Sequence, residues 1–299
     1  MKKKDPRLLP NTVRAFGFLA PFFILYTVFI IWPVIQGIYV SFHKWGLMGK
    51  IRFVGLSNYY KFLTEKHFWD ALWNTTWFVI IAVPSLMIAA IVLALLANRE
   101  SGFKKLFRVC FYLPSVLSVA VISFMAIYLY SPYLGFISSV LHTFRLIPSG
   151  TEILFLRSIP LIWFVVTVTT VWWTTGFSMM LYISAMQDIP VTVYEAAEID
   201  GATKTQQLFA LTLPLLTPTT YLIMLLQIIA SFKIFGQIYL ISRGGPGTAT
   251  KPLIQLIYET AFRDNDLGYA SAMSYVLFLI LVVLSLVQLK YQSYKEQQS

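Results

Sequence analysis

The residues of this chain whose types and spacing could do chemistry are concentrated in one polar stretch, Asp188 to Pro218, DIPVTVYEAAEIDGATKTQQLFALTLPLLTP. Glu195, Glu198 and Asp200 stand close together there, with the small or apolar Ala196, Ala197 and Ile199 between them. Carboxylates set among alanines let a helix enter another protein's groove with its backbone near the wall. The chemistry of the stretch is therefore docking, not catalysis. Elsewhere no active-site constellation forms. Gly49-Lys50 is followed by Ile51, so there is no G-x-x-x-x-G-K-[S/T] phosphate cradle and no ATP hydrolysis is expected of this chain. His43, His67 and His142 are scattered without metal spacing, and a single cysteine, Cys110, excludes an internal disulfide.

Local signals set out the elements that carry the stretch. Thr192 followed by Glu195 has capping-box spacing and predicts a helix from Val193 to about Asp200, with Gly201 as the left-handed residue that ends it. Thr203 and Gln206 repeat the spacing, so a second helix is expected from Lys204 to Pro214 and Pro218. The expectation is a helix-turn-helix outside the membrane.

The remainder is apolar. Of 299 residues 58% are hydrophobic and 12% charged, and the apolar residues come in blocks long enough to cross a bilayer as helices. A β-barrel would need short alternating segments instead. The fold class expected is all-α, a polytopic membrane protein with six spans, near Ala15–Val40, Leu72–Ala97, Val109–Tyr130, Ile159–Met186, Thr219–Ile241 and Gly268–Leu289. The first block is too long for a signal peptide and lacks a clear cleavage site. Net charge is +10, with cations beside the spans, which suits membrane lipid and not nucleic acid. Lys2, Lys3, Lys4, Arg7 and Arg14, then Arg99, Lys104, Lys105 and Arg108, place the N-terminus and the loop after the second span inside. Six spans then put both termini in the cytoplasm of a plasma-membrane protein. Prolines 21, 33, 84 and 114 fall within or beside spans, where only packed neighbours can satisfy the freed carbonyls.

Glu195-Ala196-Ala197, then Gly201, then Leu211-x-Leu213-Pro214 resembles the EAA motif of membrane subunits of binding-protein-dependent ABC importers, although the family usually has isoleucine where Leu211 stands. Pro33 to Trp45, Phe53 to Tyr60, Phe68-Trp69, Asn74-Thr75, Gly244 to Gly247, Thr250 and Tyr258-x-x-Ala261-Phe262 extend the likeness to the maltose-type, sugar-importing branch. Within it the chain is similar to the larger maltose permease subunit and the glycerol-phosphate and multiple-sugar permeases. The resemblance implies a type I importer permease. Residues 1–71 would hold the N-terminus, first span and external loop, 72–289 the permease core and 290–299 a cytoplasmic tail. It implies as partners a second permease, two cytoplasmic ABC ATPases carrying ATP and Mg, and an external or periplasmic sugar-binding protein; this chain itself would bind no cofactor or metal. It also implies that Glu195, Ala196, Ala197, Asp200, Gly201, Leu213 and Pro214 couple the chain to the ATPase.

Sugar import needs polar and aromatic groups near mid-membrane. Gln227 and Ser231 share a face of the fifth span, and Trp172, Trp173, Thr174 and Phe177 cluster on the fourth. Counting from the motifs places Gln227, Ser231, Ile234, Trp173, Thr174, Phe177, Ser115 and Val119 where the maltose relative has sugar contacts. The same residues could instead hold neighbouring helices together. Lys233, the only charge well inside a span, is expected either to face the bundle interior or to snorkel outward. The rival is an ion-coupled secondary transporter of a small polar solute, which these spans, poor in titratable groups, equip badly.

Overall fold

A computed structural model describes residues 11–98, 102–132, 135–148 and 152–296. The basic residues Lys2, Lys3, Lys4, Arg7 and Arg99 lie outside them. The chain packs as two compact units, one of residues up to 64 with 257–277, the other of 65–256 with 278 onward.

In the first unit a helix Asn11–Tyr26 passes through a π turn, Thr27–Ile31, into the helix Trp32–Ser41. Its apolar side chains point all ways, and none is buried in the span Phe16–Ser41. A helix apolar all round and uncovered is stable only with hydrocarbon as its solvent. A two-stranded antiparallel hairpin, His43–Gly46 with Gly49–Phe53, follows and is the one departure from an all-helical chain among the described residues. Buried Asn58, on the helix Ser57–Thr64, closes this unit by donating to the carbonyls of Ser41 at 2.8 Å and His43 at 3.0 Å. Gly268 lies so close to the hairpin that a Cβ there would sit 2.0 Å from the His43 carbonyl oxygen.

The second unit is a bundle around the long helices Lys66–Asn98 and Ile159–Gln187. Ala90, Ala94 and Ala97 are buried on the first of these and let it approach Met179, Tyr182 and Ile183 of the second closely. Gly176 makes a tighter approach, since a Cβ there would meet the Phe111 carbonyl oxygen at 2.2 Å and the Tyr112 Cα at 2.8 Å. The last helix, Leu267–Glu296, contributes Gln288, whose amide donates to the Tyr221 carbonyl at 2.7 Å.

Four helices are long and apolar enough to cross a bilayer, and six spans result if two bent pairs each count as one. The structure corrects two expected spans. The third, expected to be continuous over Val109–Tyr130, is instead Lys104–Tyr112 with a 3-10 turn Leu113–Val116, then Val119–Leu129 after a 100° bend. Pro114 removes a backbone donor and Ser118 caps the new helix, accepting from the Val121 N–H at 3.4 Å. The fifth, expected over Thr219–Ile241, is a helix Thr217–Phe232 that stops at Lys233, and Gly236–Ile241 is a separate short helix.

Both π turns have the same cause. Each ends two residues before a proline, Thr27–Ile31 before Pro33 and Leu208–Thr212 before Pro214. The proline ring would press on the carbonyl four residues back, and the wider turn moves that carbonyl aside.

Candidate functional site

Of the two candidate sites, the first is the docking loop. Its helix runs Val191–Ile199, starting two residues earlier than the Thr192 capping box implied. That box does not form. Pro190, with φ −59°, already sits at the N-cap, the Val193 N–H bonds to the Pro190 carbonyl at 3.1 Å, and the helix starts before Thr192 can cap it. The C-terminus matches expectation. Asp200 caps, Gly201 has φ +77°, the Gly201 N–H bonds to Glu198 O at 3.0 Å and the Ala202 N–H to Ala197 O at 2.9 Å. This paired bonding is the Schellman arrangement, which needs a left-handed residue.

The second helix starts as expected, with Thr203 and Gln206 forming a full capping box. It does not end at Pro214. The helical path Lys204–Gln207 continues through the π turn and Leu213–Leu215, and the chain then bends 59° at Leu216 into the helix that carries Pro218 in its first turn.

Glu195, Ala196, Asp200 and Gly201 are exposed, and Ala197 half-buried. On the inner side the Tyr194 hydroxyl bonds to the Thr212 hydroxyl at 3.0 Å. Lys204 pairs with Glu198, and its ammonium beside Glu198 holds that carboxyl below the usual carboxylate range, helped by the Gln207 side chain. Buried Gln207 also donates to the Ala202 carbonyl at 3.4 Å. The docking helix is thus bound to the helical path behind it, while its acidic and small residues are offered outward. Leu213 is half-buried and exposed Pro214 follows it, both within that path.

The second site is a cavity of about 300 Å³ inside the same unit, lined by Trp173 and Thr174 of the fourth span, Gln227 and Ser231 of the fifth, and Val119 and Ile234. The broken helices create it. Bending at Leu117–Ser118 and stopping at Phe232 leave gaps that unbroken spans would fill. Trp173 lines the cavity and also donates its indole N–H to the Leu117 carbonyl at 3.1 Å, supplying a partner that the break removed. Gln227 donates to the Ser178 hydroxyl at 3.1 Å.

Ser115 and Phe177, named from the sequence, do not line this cavity. Ser115 lies in the 3-10 turn and donates to the Tyr112 carbonyl at 2.6 Å; Phe177 is exposed on another face. Two polar lining residues, Thr170 and Gln237, were not named from the sequence, and Lys233, exposed, also lines the cavity, the inward of the two placements expected for it. Gln237 is 2% exposed and paired with Thr170 at 2.7 Å, and it stood hidden in what read as one apolar span.

A second hollow, of about 640 Å³, is apolar and lies between Trp77, Ile81, Trp163, Phe164 and Trp172, so Trp172 faces away from the polar cavity.

Comparison with known proteins agrees with this architecture. The probable ABC transporter permease protein YurN of Bacillus subtilis is 30% identical over 287 residues, covering 94% of this chain and 96% of that protein. The sulfoquinovosyl glycerol transport system permease protein SmoG of Agrobacterium fabrum is 30% identical over 301 residues, covering 97% and 96%. A chain from the crystal structure of a bacterial ABC transporter involved in the import of the acidic polysaccharide alginate superposes with a TM-score of 0.84 at 22% identity, covering 95% of this chain and 96% of that one, which shows a shared fold. Residues 66–293 match the family of binding-protein-dependent transport system inner membrane components, and the chain belongs to that family.

Proposed function

We propose that this chain is the permease subunit that carries a sugar or oligosaccharide across the plasma membrane in an ATP-driven importer. Both termini lie in the cytoplasm. It pairs with a second permease of the same fold and two cytoplasmic ABC ATPases, which hold ATP and Mg, and receives sugar from an external binding protein. Relatives named for multiple-sugar and arabinooligosaccharide transport support the cargo class.

The observation that carries the reading is the tether between the docking helix and the cavity. Glu195, Ala196, Ala197, Asp200 and Gly201 present a knob to the ATPase. The helical path behind it, through Leu213 and Pro214, enters the span that holds Gln227 and Ser231 against the cavity. ATPase closure pulls the knob, moves that span and opens the cavity outward to the docked binding protein, whereas nucleotide release reverses the motion. Trp173, Thr174, Gln227 and Ser231 face the sugar. Ser115 and Phe177 do not reach this cavity and serve the path only if the spans rearrange. The ion-coupled alternative has no support in a family built around binding proteins.

The test is co-purification of the ATPase from membranes carrying the Glu195→Ala/Gly201→Asp double variant, with sugar uptake measured in parallel. Loss of both with normal membrane insertion is expected. A variant that keeps its ATPase and full uptake, or labelling that places residues 188–214 on the outer surface, would overturn the reading.

A further inference from the structure

The cavity's polar lining is not electrically neutral. Thr170, Thr174, Gln227, Ser231 and Gln237 supply neutral groups, while Lys233 adds a full positive charge, and among the described residues no carboxylate lines the space. Lys233 makes no ion pair there. It closes the helix Thr217–Phe232 as its C-cap, where the helix dipole offers about half an opposing charge and leaves the rest uncompensated.

A second observation also points to a missing ligand. Gln237 is 2% exposed and its Nε2 has no partner, while its Oε1 lies 2.7 Å from the Thr170 hydroxyl. That hydroxyl also lies 2.7 Å from the Val166 carbonyl, and its single proton serves only one of them. The Gln237 amide NH2 lacks an acceptor, and a group that can accept, such as a sugar hydroxyl, supplies one.

We infer that the cavity takes an acidic sugar, its anionic group set against the Lys233 ammonium and a ring hydroxyl against Gln237. The inference rests on the proposed role of the cavity as the sugar path. Lys233 is exposed at the cavity, so a neutral sugar would leave its ammonium without a counter-charge, whereas an acidic one pairs with it.

The experiment uses the complete transporter with its binding protein in proteoliposomes. The probes are hexuronate disaccharides and sugar phosphates, each beside its neutral counterpart. ATP-dependent uptake of an acidic member is expected. Lys233→Met should lower that uptake by about 10- to 100-fold, the worth of a hydrogen bond to a charged group, and Lys233→Arg should retain most of it. Lys233→Gln repeats the readout in case the methionine variant fails to hold its ATPase. Uptake confined to neutral sugars, or acidic uptake unchanged in Lys233→Met and Lys233→Gln, overturns the inference and leaves the sugar path standing. Uptake of neither class overturns the sugar reading itself.

Discussion

The Tyr194 hydroxyl is bonded to the Thr212 hydroxyl at 3.0 Å, which joins the docking helix to the π turn behind it. In the proposed coupling, a knob pulled by the ATPase transmits force through such links. Tyr194→Phe keeps the ring and removes the bond, worth about 1 kcal/mol. Uptake should fall several-fold while the ATPase still co-purifies. Thr212→Val also removes the Thr212 bond to the Gln207 carbonyl at 3.3 Å, so it should cost at least as much, and the double variant should be no worse than Thr212→Val alone. Additive losses would show that the pair is not the link.

At Gly201 the backbone is left-handed with φ +77°, yet a Cβ built there meets nothing within 4 Å. Within this chain a side chain therefore costs only backbone strain, about 1 kcal/mol for a residue that avoids the left-handed region. Any larger effect has to come from the groove that receives the helix. Gly201→Asp adds bulk and a fourth negative charge to the knob and should abolish uptake with insertion intact. Gly201→Asn tolerates the same φ without the charge and should keep part of the activity. Equal, complete loss in both would assign the effect to bulk alone.

The docking loop was largely legible in the sequence because its signals are local. Gly201, Thr203 and Gln206 act through neighbours a few residues away, and all three behave as their spacing predicts. Thr192 misled because two N-cap candidates stood two residues apart and Pro190, with its φ already fixed, came first. The cavity was less legible. Hydropathy counts the stretches around Leu117–Ser118 and Lys233–Phe235 as apolar spans, whereas the breaks there depend on proline, on a serine cap and on packing between distant helices. Gln237 falls beyond the second break, so its register to Gln227 and Ser231 could not be counted along one helix.

The Glu198 carboxyl is held below its ordinary value of 4.5 by Lys204. A depressed carboxyl contributes stability that is complete above the unfolded value and is lost as pH falls through the folded one. The loop should therefore hold its ATPase equally well from pH 6 to pH 8, because that window lies wholly above both values. The pair is exposed and screened by salt, so Lys204→Ala should change co-purification little at physiological ionic strength. A steep pH dependence within that window would mean another group titrates in the docking surface.

Gly176 tests the packing beneath the cavity. A Cβ there would stand 2.2 Å from a backbone oxygen, and no side chain can move aside to admit it. Gly176→Ala must separate the broken third span from the fourth, at a cost typical of overpacking, about 1–3 kcal/mol. The thermal midpoint of the detergent-solubilised complex should drop by several degrees. An unchanged midpoint would mean the two spans are not held this close.

Trp173 has two tasks that one substitution can separate. Its ring lines the cavity, and its N–H supplies the Leu117 carbonyl at the break in the third span. Trp173→Phe keeps an aromatic face for a sugar ring but leaves that carbonyl without its donor, a penalty of about 1–3 kcal/mol if no other donor replaces it. The thermal midpoint should fall while the substrate concentration for half-maximal uptake stays near its original value. Trp173→Ala removes the face as well, so the midpoint should fall and that concentration should rise. If Trp173→Phe raises the half-maximal concentration without lowering the midpoint, the indole N–H belongs to the sugar and not to the break. The Leu117 carbonyl must then find its donor elsewhere when substrate is bound.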